Sequence, residues 1–118
     1  MRFRFIEFRV YKEGKTYCLF CRSVVKIHIL EKDKNLADQI QRALNSILLN
    51  IAEGSADNRD TEFARFLSIS IRSVYETVAG FDIAAQCGYI KEDQNLEIEE
   101  KSHGLVKQLA SFRNKLRS

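Results

Sequence analysis

Leu36, Ile40, Ala43, Leu44, Ile47, Leu48 and Ile51 recur at the period of an α-helix and build one broad apolar face. A strand alternates every second residue and could not gather these side chains on one side. Beside that face runs a second stripe. Gln39, Arg42, Ser46, Asn50 and Glu53 follow one another at steps of 3, 4, 4 and 3. Solvent faces of helices are usually rich in Lys and Glu, whereas this one is mostly amide and hydroxyl. Such a stripe suits a helix–helix or subunit contact in which side chains hydrogen-bond one another. The alternative is a bundle helix with a slightly unusual surface.

The rest of the chain is compatible with long helices. It has 118 residues, five Gly and no Pro, and a Pro in a helix interior costs about 3 kcal/mol. One domain of this length buries about two-thirds of its unfolded surface. Four helices are predicted. The first spans about Phe8 to Ile27, with Val10, Tyr17, Cys18, Cys21, Val24 and Val25 on one face and Lys12, Lys15, Arg22 and Lys26 opposite. The second spans Leu36 to Glu53, with Asn35 as N-cap and Gly54 as a left-handed C-cap. The third spans Thr61 to Cys87, capped by Asp60 and stopped by Gly88. Its seam runs through Phe63, Phe66, Leu67, Ser70, Val74, Val78, Phe81, Ala84 and Ala85, and Ile69 and Ile83 lie off it. The fourth spans Asp93 to Leu116 on a narrow seam of Ile98, Leu105, Leu109, Phe112 and Leu116. Short connections between four such helices predict an all-α, antiparallel up-down-up-down four-helix bundle over residues 1–118.

Charge is distributed unevenly. Residues 1–35 carry nine Lys or Arg against four acids, residues 36–90 four against seven, and residues 91–118 six against five. In the last segment the acids come first and Lys107, Arg113, Lys115 and Arg117 come last, an order that complements a helix dipole without any ligand. The stripe Lys12, Lys15, Arg22, Lys26 is the strongest candidate for tracking a phosphate backbone, with Arg113, Lys115 and Arg117 as a second candidate. A solvated face of extended Lys side chains is the competing explanation.

Other candidate chemistry is weaker. Cys18-x-x-Cys21 has metal or redox spacing, but both cysteines fall on the apolar face and Cys87 supplies no second pair. Buried structural thiols are the expectation. Glu100-x-x-His103 resembles half of a di-iron carboxylate motif, but it occurs once and lies opposite the helical seam. His28 sits in a charged connection with no partner at recognisable spacing. Glu53 and Glu76 are expected to pair with Arg42, Arg72 or an Arg of a neighbouring subunit. No nucleophile elbow, phosphate-cradling glycine loop or zinc-peptidase motif is present. The expectation is a non-enzymatic protein with no cofactor and no metal. No apolar run approaches the roughly 18 residues of a membrane span, the amino terminus lacks a signal-peptide pattern, and an odd number of cysteines suits a reducing cytoplasm.

The pattern Gln39-x-x-Arg42-Ala43-x-x-Ser46-Ile47-x-x-Asn50-Ile51-Ala52-Glu53-Gly54 resembles the signature of four-helix-bundle proteins encoded in intervening sequences of bacterial 23S rRNA genes. That family is related to the accessory variability proteins of diversity-generating retroelements. The likeness continues through Glu62-Phe63-x-x-Phe66-Leu67, Ser73-x-x-Glu76 and Gly88-Tyr89-Ile90. It implies a homo-oligomer, a pentameric ring, with a basic surface for RNA or DNA. It also implies a reverse transcriptase or another nucleic-acid-handling protein as partner. Gln39, Arg42, Ser46, Asn50, Glu53 and Glu76 are assigned to fold specificity and assembly. The sequence departs from the pattern at Asp57, where an Arg is expected, at Arg72, which replaces a small residue, and at Tyr11, which replaces a Trp. The first departure removes a cation from the 54–59 loop. A protein–protein scaffold without nucleic-acid contact is the rival reading.

Overall fold

A computed structural model describes residues 2–118. Four helices follow a short 3-10 turn at Arg4–Glu7: α1 Arg9–Val24, α2 Lys34–Ser55, α3 Asp60–Gln86 and α4 Glu92–Arg117. There is no strand among the described residues. Consecutive helices pack on one another and α4 returns beside α1, which is the up-down bundle the periodicity predicts. No helix is long and apolar enough to cross a membrane.

The predicted seams form the core. Ile40, Leu44, Ile47 and Ile51 of α2 meet Phe63, Leu67, Val74 and Phe81 of α3, all essentially buried. The long step between Ile98 and Leu105 in α4 is filled by Ser102. Its hydroxyl donates to the Ile98 carbonyl at 2.7 Å and lies 2.6 Å from the Tyr17 hydroxyl. Two polar groups thus close a gap in an apolar seam with their hydrogen bonds satisfied.

Helix ends differ from expectation in three places. Asp33, not Asn35, caps α2, its carboxylate accepting from the Leu36 amide at 3.0 Å. Asp60 is the first residue of α3 rather than its cap, and Arg59 takes the cap position without a side-chain bond. The two acids in that first turn, Asp60 and Glu62, still complement the helix dipole. Gly54 is not a left-handed C-cap. It lies inside α2 and is buried, and Gly88, at φ 80°, is the residue with positive φ among those described. The first helix also ends unusually. Val25–Ile29 forms a π turn, closed by the Leu30 amide donating to the Val25 carbonyl at 2.9 Å.

The reason for Gly54 is steric. A Cβ there would sit 2.7 Å from the Phe66 Cβ and 2.8 Å from the Phe63 ring. Gly80 of α3 faces α2 in the reciprocal way, with Ile40 Cγ1 2.6 Å from where its Cβ would be. Both contacts meet atoms held close to the partner backbone, so they cannot be relieved by a rotamer change alone. The two glycines let α2 and α3 approach closely near both ends.

Gly54→Ala and Gly80→Ala should therefore each destabilise the fold by about 1–3 kcal/mol, the usual range for overpacking. Gly104 of α4 has nothing within 4 Å of its Cβ position, so Gly104→Ala should stabilise by about 0.5–1 kcal/mol through helix propensity. Urea titrations of the three variants would check the opposite signs.

Candidate functional site

The polar stripe of α2 divides into two groups. Ser46 and Asn50 turn toward α3. The Asn50 amide nitrogen donates to the Ser46 carbonyl at 2.8 Å and its hydroxyl at 3.0 Å, and the Ser73 hydroxyl lies 2.8 Å from the same hydroxyl oxygen. Ser70 donates to the Ile47 carbonyl at 2.8 Å and Thr77 to the Ser73 carbonyl at 2.9 Å. Two of these bonds, Ser73–Ser46 and Ser70–Ile47, cross between the helices and fix the register of α2 on α3, while the others stay within one helix.

Gln39, Arg42 and Glu53 point outward. Among the described residues they form no side-chain hydrogen bond or ion pair, and neither do Arg72 and Glu76 of α3. The expected pairing of Glu53 or Glu76 with Arg42 or Arg72 within the chain is therefore absent. Ile69, Arg72, Glu76 and Ile83 follow at steps of 3, 4 and 7 on the same side of α3. Ile69 is half-buried, and Ile83 is 47% exposed. The α2–α3 face thus presents unpaired charges of both signs with apolar residues among them.

The cations of α1 and of the π turn that follows it are placed on the outer side, with different engagements. Lys12 pairs with Glu7 at 3.3 Å and Lys15 stands 5.1 Å from the Tyr11 ring centroid. Lys26 is exposed and unpartnered among the described residues. Arg22 is half-buried and bridges to α2, donating to Gln41 and, at 2.6 Å, to Asn45. Its guanidinium braces two helices and is the least available of the four. The carboxy-terminal candidates split. Arg113 and Arg117 both reach Ser68 of α3, at 3.3 and 3.4 Å, while Lys115 faces the groove between α1 and α4. Successive helical residues are about 100° apart, so a two-residue step turns neighbours away from each other.

The 54–59 loop carries no free cation. Asp57 accepts the Arg59 amide at 2.7 Å and its guanidinium at 3.1 and 3.0 Å. Those bonds hold the Asp57 carboxyl down at about 2. Glu100 and His103 are both exposed, and the carboxylate near His103 is that of Glu99, 3.9 Å away. No group of three His, Cys, Asp or Glu among the described residues is arranged to hold a metal ion.

One cation was not anticipated from the sequence. Arg4 donates to the Ser55 carbonyl from Nε and Nη2 at 3.0 and 2.7 Å and lies 5.6 and 5.5 Å from the Phe8 and Phe63 ring centroids. It ties the amino-terminal turn to the last turn of α2, where carbonyls lack helical partners. The alternating Arg and Phe of residues 2–5 was the available signal.

Residues 7–111 match the family described as 23S rRNA-intervening sequence protein. The chain belongs to that family. A solved structure of a protein with unknown function from the S23 ribosomal protein family of Bacteroides thetaiotaomicron is similar at a TM-score of 0.78. It shares 23% identity over 88% of this chain and 97% of the other, which shows the common bundle. No curated protein matches. Within this family member the three cysteines stand apart chemically. Cys18 and Cys21 are buried and Cys87 is exposed. Cys18 donates to the Leu44 carbonyl at 3.6 Å. Burial pushes the Cys18 thiol up to about 11 and the Cys21 thiol up to about 12.

Native protein should therefore react with a thiol reagent at Cys87 alone, with Cys18 and Cys21 following only in denaturant. A raised thiol pKa keeps the proton bound longer in the folded chain than in the unfolded one. The associated stability is complete below the ordinary value of 9.0 and is lost as pH rises through about 11 and 12. The denaturation midpoint should fall over that window, and fall less in a Cys18→Ala, Cys21→Ala variant.

Proposed function

We propose that this chain is a non-enzymatic, self-associating bundle that binds RNA or DNA, or assists a protein that handles nucleic acid. The observation that carries the reading is the outer face of α1. Lys12 and Lys15 are exposed there, and Lys26 is exposed on the π turn that follows. The single ion pair among them, Lys12 with Glu7, is solvent-exposed. Exposed pairs contribute only about 0–1 kcal/mol, so a phosphate could replace the carboxylate at little cost. Membership of a family named for 23S rRNA intervening sequences is consistent with a role near nucleic acid. The resemblance to accessory proteins of retroelements supports a reverse transcriptase as the partner class.

Self-association is supported by the α2–α3 face. Arg42, Arg72, Glu53 and Glu76 carry complementary charges that find no partner within the described chain, and Ile83 supplies exposed apolar surface beside them. A symmetric contact between copies would pair those charges, and the resemblance implies five copies in a ring. A ring repeats each α1 face and strengthens a weak contact through multivalency. The same apolar face supports the second reading, a scaffold that docks a protein and leaves nucleic acid untouched.

Light scattering should give a mass several times the 13.7 kDa of one chain. Arg42→Glu with Arg72→Glu should lower it while helicity persists, and a wild-type monomer would remove the assembly reading. Affinity for mixed RNA or DNA should fall steeply with salt. Lys12, Lys15 and Lys26 all changed to Gln should flatten that slope by about two to three units, roughly one for each phosphate left without its cation. Arg22 is left intact because its bonds to Gln41 and Asn45 are structural. Absence of wild-type binding at low salt would leave the scaffold reading in its place.

A further inference from the structure

α1 and α4 pair more loosely than α3 does with α2 or α4, and a groove of about 640 Å³ opens between them. That volume is within the range of ligand sites, roughly 300–1,000 Å³. Phe8 and Phe112 form its aromatic wall, edge to face at 5.4 Å. Arg9, Lys107 and Lys115 stand around it. Lys107 and Lys115 have no ion-pair partner among the described residues, and Arg9 has only a loose pair with Glu13 at 3.9 Å. No acidic side chain lines this part of the groove.

One further observation specifies the occupant. The depression continues along the α1–α4 seam, past Gly104, Gln108 and one acid, Glu13, to a second aromatic–cation pair in which Lys101 stands 4.8 Å from the Phe20 ring centroid. Alternating aromatic and cationic groups along a track suit an extended polyanion with flat faces.

We propose that this groove binds single-stranded nucleic acid, an unstacked base lying against Phe8 and Phe112. Arg9, Lys107 and Lys115 then hold the adjoining phosphates. The proposal rests on the nucleic-acid reading above but uses a different surface from the α1 stripe. Base stacking on aromatic side chains combined with cations along the backbone is the general mode of single-strand binding. A duplex keeps its bases stacked on one another and has no free face to offer.

Gly104→Leu gives a direct test, because its Cβ position is open and its side chain would enter the groove. Leu is the better helix former, so thermal stability should hold or rise. The probe is a short single strand carrying one 2-aminopurine, compared with the matching duplex. Wild type should prefer the single strand and change the 2-aminopurine emission on binding. Gly104→Leu should lose that change and weaken single-strand binding about tenfold or more, with duplex binding nearly unaltered. Lys107→Gln with Lys115→Gln should flatten the single-strand salt slope by about two units. Full single-strand binding by Gly104→Leu, with loss in the Lys12, Lys15, Lys26 variant, would overturn the groove and leave the α1 face as the site. Binding of neither strand form by wild type would overturn both readings together. Binding of a fluorescent fatty acid by wild type and its loss in Gly104→Leu, with oligonucleotide binding intact in both, would assign the groove to an apolar acid instead.

Discussion

Close approach of α2 to α3 governs the rest of this bundle. Gly54 on one helix and Gly80 on the other remove the two side-chain carbons that would hold the backbones apart. Once the helices are near, short hydroxyl side chains can span the gap. Ser70 reaches the Ile47 carbonyl and Ser73 reaches Ser46. A wider spacing would leave the buried Ser70 hydroxyl without its partner, at about 1–3 kcal/mol, and would break the Ser73–Ser46 contact, with Ser73 keeping only the Ile69 carbonyl of its own helix. Small residues and hydroxyls therefore work as one device, the first setting the distance and the second the register. The large apolar residues then fill whatever space that geometry leaves.

α1 and α4 pack without such a device, and the surface between them has a different character. Its walls carry aromatic rings and cations instead of small residues and hydroxyls. The α2–α3 side is polar, close-packed and edged by charges of both signs. The α1–α4 side is more open, and Arg9, Lys101, Lys107 and Lys115 along it outnumber the acid Glu13. A subunit contact requires the first kind of surface and a polyanion the second, so the two proposed roles need not compete for the same residues.

Most of the helical architecture was legible because periodicity is a repeated signal. The seven apolar positions at helical spacing from Leu36 to Ile51 share one face, with Leu49 exposed outside it, and no single residue decides it. Helix ends depend on single residues, and there the sequence was ambiguous. Asp33 and Asn35 are both good caps, and only the path of the preceding π turn selects the first. Glycine has two distinct uses, left-handed backbone and close contact. Gly88 has the first and Gly54 the second, although both end an apolar run. Lys115 could have been separated from Arg113 and Arg117 by helical angle alone. The groove it joins was not readable, because Phe8 and Phe112 are distant in the chain and each also belongs to a seam.

The π turn at Val25–Ile29 has a consequence for how such a chain can vary in length. An extra residue in a regular helix rotates everything beyond it by about 100°, which would swing an apolar face into water. A five-residue turn takes up that residue locally, and Val25 and Ile29 both remain buried. Asp33 is then delivered in line to start α2. The first connection is therefore a phase adjuster, able to absorb an insertion or deletion in α1 without disturbing the α2–α3 pair.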